Sequence, residues 1–106
     1  MTPERFDRIV NDRLAKIKTV LTSKSKEYAS DSDRLYNFKA GARIDGETSE
    51  ECLWGYFKKH LVSVMDLVDG KRELTDSAID EKIGDCINYL ILLEAVFLER
   101  IEGEEI

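Results

Sequence analysis

The segment DEKIGDCINYLILLEAVF, Asp80 to Phe97, begins charged and, past Asp85 and Asn88, becomes almost wholly apolar. From Cys86 to Leu98 the residues are apolar around most of a helix circumference, more than one small bundle hides on one side. The expectation is a central helix, or one that meets another subunit, so that the chain forms a homo-oligomer through its apolar C-terminal helix. A carboxylate and an amide one helical turn apart at the head of such a run raise a chemical question. Inside a packed bundle each needs a partner.

Working outward, Thr75 or Asp76 is placed to cap this helix, which is predicted over about 76–101. Upstream, Thr48 and Glu51 have the spacing of a capping box, and a broad apolar face from Cys52 to Val68 follows. That helix, about 49–68, ends where Asp69-Gly70 offers a left-handed stop. Near the start, Thr2 and Pro3 read as N-cap and first-turn proline of a helix over about 3–24, with Phe6, Ile9, Val10, Leu14, Ile17 and Leu21 at helical spacing. Between these, Leu35, Phe38 and Ala42 share one face behind the caps Asp31 and Ser32, predicting a short helix over about 33–43. The closing EGEEI reads as a frayed tail, and no repeat or linker interrupts the pattern. The expected fold class is therefore all-α: one four-helix-bundle-like domain over residues 1–106.

Sixteen Lys and Arg against 22 Asp and Glu give a net charge of −6, which repels a polyphosphate backbone, so duplex nucleic acid is not an expected partner. A small phosphorylated ligand remains open, because a local pocket of cations can reverse the local field. With 36% charged residues and apolar runs far shorter than a bilayer needs, no membrane association is expected. MTPERFDRIV lacks the layout of a secretion signal, which points to the cytoplasm. Cys52 and Cys86 are widely separated, without zinc-site spacing, and read as buried thiols.

Two polar stripes carry the chemistry. Lys59, Ser63 and Asp66 fall at i, i+4 and i+7 on the third helix, and Glu81, Asp85 and Asn88 repeat that spacing on the fourth. A short connection makes these helices antiparallel neighbours. Facing stripes would set two acids and an amide opposite a lysine, a hydroxyl and a third acid. That suits Mg²⁺, which takes hard oxygen ligands from Glu81, Asp85 and Asp66, with Lys59 neutralising phosphate charge. A second constellation, KSKEYASDSDRLYNF, brings Lys24, Lys26, Tyr28, Arg34, Tyr36, Asn37 and Phe38 together, the ingredients of base stacking and phosphate contact. His60, the only histidine, is either a packed core residue or a ligand contact. Asn88 is either a ligand group or a buried amide that fixes helix register.

KEYASDSDRLYNF, LWGYFKKHLVSVMDLV and DEKIGDCINYLILL together resemble a group of small phage and prophage helical proteins. That group is itself distantly similar to the MazG-like all-α nucleoside triphosphate pyrophosphohydrolases and to domains associated with phage nucleotide modification. The resemblance implies a MazG-like fold and, with it, Mg²⁺ held by paired acids on two helices; Asp85 matches the final aspartate of that pattern. The sequence departs from it at Lys82 and in the stretch KKHLVSVMD, where paired glutamates are expected. Three functions follow as expectations. The first is a nucleotide binder without turnover, sequestering a nucleotide or a nucleotide-derived host-defence signal, with Lys26, Arg34 and Lys59 on phosphates and Tyr28 or Phe38 on a base. Asn37, His60, Ser63 and Asn88 complete its contacts. The second is a Mg²⁺-dependent pyrophosphohydrolase with Asp85, Glu81 and Asp66 as catalytic and metal-binding residues. The third is a structural or protein-interaction module.

Overall fold

The computed structural model describes residues 1–23 and 33–104, and the regular structure there is entirely helical. The helices are α1 (Pro3–Ser23), α2 (Tyr36–Asp45), α3 (Ser49–Val68) and α4 (Asp76–Glu104). Side-chain caps set three of the four starts, as the sequence predicts. Thr2 Oγ1 accepts from Arg5 N–H at 3.0 Å, and Thr75 Oγ1 accepts from Ala78 N–H at 3.0 Å. At α3 both halves of the capping box form: Thr48 Oγ1 accepts from Glu51 N–H, and Thr48 N–H donates to Glu51 Oε1.

The second helix starts and ends later than predicted. Asp33 stands ahead of it, its carboxylate accepting from Leu35 N–H at 2.9 Å and so forming a turn instead of a first helical residue. The expected caps Asp31 and Ser32 lie outside the described residues, as does Lys24 at the predicted end of the first helix. The stop is Gly46, at φ 68°, whose N–H reaches back to Ala42 O. At the other end, α4 continues through Gly103 to Glu104, beyond the predicted limit near 101.

α3 and α4 form an antiparallel pair, turned by Gly70 at φ 73°. Contacts step in opposite directions along the two helices: Arg100 bonds Glu50 at 3.1 Å, Phe57 stacks on Tyr89 at 6.0 Å, and His60 lies beside Asp85. The core is small, made of Leu35 and Phe38 from the α2 region, Leu53 and Phe57 from α3, and Leu92 and Val96 from α4. Gly41 lets α2 come close, because a Cβ there would lie 2.8 Å from the buried Cys52 sulfur. Lys39 then bridges Asp33 at 2.7 Å and Glu99 at 2.6 Å, tying α2 to the end of α4. Burial pushes both thiols, Cys52 and the half-buried Cys86, above the usual range.

α1 runs alongside α4 in the same direction, and among the described helices it packs against α4 alone. The arrangement is thus bundle-like without being closed. Its extents are 49 × 29 × 24 Å and its radius of gyration is 16.0 Å. A compact domain of this length has a radius of gyration of about 13 Å. Among the described residues no helix is long and apolar enough to cross a membrane.

Candidate functional site

Asp85 and Asn88 line a groove of about 440 Å³ where α1 lies on α4. Arg13, Lys16 and Thr19 come from α1; Asp80, Glu81 and Gly84 complete the α4 side. Arg13 Nη2 donates to Asp80 Oδ1 at 2.7 Å and Lys16 Nζ to the same oxygen at 3.1 Å. The hydrogen bonds from Lys16 and then Arg13 hold the Asp80 carboxyl below its usual value. Two cations share the Asp80 carboxylate at this end, while Glu81 and Asp85 also line the groove, so cations and carboxylates alternate along it. Gly84 makes the approach possible: a Cβ there would meet Arg13 Nη1 at 2.7 Å. Toward the middle, Asn88 Oδ1 is buried and accepts no hydrogen bond among the described residues.

Asp85 sits on the seam between this groove and α3. Its Oδ2 is 3.5 Å from His60 Nδ1, longer than a well-formed hydrogen bond, and the His60 ring lies 4.6 Å from that of Tyr89. Of the two roles open to His60, the structure shows a half-buried ring packed on Tyr89. Glu81 is exposed and pairs with its neighbour Lys82 at 3.3 Å.

The predicted meeting of two stripes does not occur. α3 points Leu53 and Phe57 into the core, and at about 100° per residue Lys59 falls on nearly the opposite side from Phe57. Lys59 is exposed, and the Ser63 hydroxyl donates to the Lys59 carbonyl at 3.2 Å. The residue α3 turns toward Asp85 is His60. Among the described residues no three His, Cys, Asp or Glu side chains are grouped as metal ligands, so Asp66 does not join Glu81 and Asp85 in a metal centre. That donor set does not fit a resident Mg²⁺.

The second constellation divides. Lys26 and Tyr28 lie outside the described residues. Arg34 Nη2 donates to Leu21 O at 2.8 Å at the end of α1, and Arg34 borders a different hollow, with Leu35 and Leu92. Phe38 is a core residue, 2% exposed, and its ring meets Tyr56 and Tyr89 edge-on at 6.3 and 6.4 Å. It offers no free face for a base. With Asn37 it borders another hollow, of about 410 Å³, between α2 and the aromatic side chains Tyr56 and Tyr89.

The residues that accompany Asp85 and Asn88 are thus Arg13, Lys16 and Thr19, which no motif in the sequence singles out. A signal existed: Arg13 and Lys16 share a helix face with Val20, and Asp80 offers a matching charge at the start of α4. No family model, curated protein or solved structure matches the chain.

Proposed function

We propose that the chain holds a phosphorylated nucleotide, without converting it, in the groove between α1 and α4. Phosphate oxygens take the end where Arg13 and Lys16 project from α1, displacing Asp80 as their partner, and the base presents an N–H to Asn88 Oδ1. The observation that carries the reading is this buried amide oxygen without a partner, at the wall of a groove of about 440 Å³. An unsatisfied buried acceptor costs about 1–3 kcal/mol, which a ligand donor recovers. The volume lies within the range of small-molecule sites. Holding is favoured over turnover because the carboxylates required by a Mg²⁺-dependent pyrophosphohydrolase are not grouped among the described residues. A binder of this kind suits sequestration of a nucleotide-derived signal, whereas the family resemblance by itself favours the enzyme.

The test is thermal shift and calorimetry with nucleoside mono-, di- and triphosphates and cyclic nucleotides. A ligand at one hundred times its dissociation constant adds about 2.7 kcal/mol of stability. Asn88→Leu and Arg13→Gln should each weaken binding at least tenfold while circular dichroism stays unchanged. No shift with any member of the panel, or unchanged affinity in both variants, defeats the proposal.

A further inference from the structure

On α4, residues 80, 84 and 88 turn toward α1, while Tyr89, Leu92 and Val96 turn toward α3 and α2. At about 100° per residue a third side remains, carrying Ile79, Ile83, Leu90, Phe97 and Ile101, with Glu94 among them. Each of the five apolar residues is between 37% and 53% exposed. α3 carries a matching row, Trp54, Leu61, Met65 and Val68, interrupted by Lys58. Trp54, Met65 and Val68 are exposed, and Leu61 is partly buried against the core. α2 meets α3 through Cys52 and Tyr56 and meets α4 through Glu99. Both rows therefore lie on the side of the α3–α4 pair away from α2, and they join into one apolar face two helices wide.

The amount of exposed surface says what such a face needs. The chain exposes 7702 Å². A compact monomer of 12.2 kDa exposes about 6,100 Å². The excess over the whole chain, on the order of 1,600 Å², is shared with the exposed side of α1, and even half of it matches the roughly 800 Å² that each partner of a standard interface covers. The two charges on the face, Lys58 and Glu94, are opposite in sign, and neither has an ion pair among the described residues. Phe57 stacking on Tyr89 puts Lys58 level with Asn88, so Glu94 lies about 9 Å further along the pair, the two charges standing on its two outer edges.

We infer that this face closes on the same face of a second copy of the chain. A two-fold axis along the helices lays α3 of one copy over α4 of the other, and two α3–α4 pairs make one four-helix core. That operation brings Lys58 of each copy to the same rim as Glu94 of its mate, about 9 Å along the axis, a span two long side chains leaning toward each other bridge, and it does so twice. Trp54 and Leu90 become interior. The groove lies on the α1 side of α4, so the failure of this inference leaves the ligand reading untouched, and the reverse holds as well.

Sedimentation and light scattering on the full chain at micromolar concentration should give twice the chain mass. Emission from Trp54, the only tryptophan, should move to the red on dilution through the dissociation constant. Lys58→Glu and Glu94→Lys should each raise that constant about tenfold, and the double variant should restore it. Leu90→Glu, at a position half exposed in the single chain, should give a monomer or an unfolded chain. A wild-type monomer at all concentrations overturns the inference, and its sedimentation with lipid vesicles would assign the face to a membrane surface instead. A double variant no tighter than either single one, or a Leu90→Glu chain of wild-type size, overturns it equally.

Discussion

α1 and α2 lie on the same side of the α3–α4 pair, yet they are held by different physics. α2 is interlocked: Leu35 and Phe38 are buried, Gly41 lets its backbone approach Cys52, and Lys39 links it to Glu99. α1 is attached along one edge, by Leu21 at the core and by Arg13 and Lys16 on Asp80, while Phe6 and Leu14 stay more than half exposed. Apolar side chains that interdigitate leave no room for a guest. Polar side chains that meet at a glycine hold two helices together and leave a groove beside them. The difference separates the part of the molecule that fixes its shape from the part offered to a ligand.

The largest effect expected on the interlocked side is that of Phe38→Ala, which should cost about 3–5 kcal/mol in urea denaturation, since its ring fills the space between Tyr56 and Tyr89. A loss below 1 kcal/mol would break the comparison by showing that α2 is no better anchored than α1. The two close-approach glycines sharpen it. Gly41→Ala should cost about 1–3 kcal/mol, because the new methyl group meets a sulfur enclosed in the core. Gly84→Ala meets the end of a flexible arginine, and the gain in helix propensity offsets part of its cost, so its effect on stability should stay under about 1 kcal/mol. Equal costs at the two positions would contradict the distinction.

The smallest effect is in the pH dependence. Asp33 and Asp80 are both held below the usual value of 3.8, Asp33 mainly by the Lys39 hydrogen bond and Asp80 mainly by Lys16. Their contributions are present above that value and are lost as the pH falls through the folded-state values. Lys39 is raised above 10.5 by Asp33 and then Glu99, so its contribution is present below 10.5 and is lost as the pH rises through its folded value. The α2 clamp should therefore weaken at both extremes, and the Asp80 pair should weaken through its carboxylate at the acid one. Urea midpoints measured across pH for the wild type, Asp80→Asn and Lys39→Met check this: Asp80→Asn should flatten the acid limb, and only Lys39→Met should also flatten the alkaline limb.

Local signals were legible in the sequence, and the partners of each helix were not. α3 begins at Ser49 and ends at Val68 as predicted, because its capping box and Gly70 act within a few residues of the ends they define. α2 was placed too early because an aspartate ahead of apolar residues looks the same whether it caps a helix or forms the turn before it. The spacing of Lys59, Ser63 and Asp66 correctly put them on one side of α3 but carried no information about which neighbour that side meets. Phe38 is open from the sequence to two readings, core residue or stacking platform, because an aromatic residue among cations suits either, and only its packing shows it to be core. The role of Arg13 and Lys16 depends on a contact with Asp80 across 67 and 64 residues, which no local pattern records.

The parallel course of α1 and α4 has a consequence for synthesis. Among the described helices α1 packs on α4 alone, and the 67 residues from Arg13 to Asp80 take a ribosome about 3–13 s to add. During that interval α2, α3 and the turn at Gly70 can settle around contacts close in the chain, whereas the apolar stripe from Phe6 to Leu14 has nothing of its own to rest against. The contacts that Arg13 and Lys16 make can therefore form only once Asp80 has left the exit tunnel.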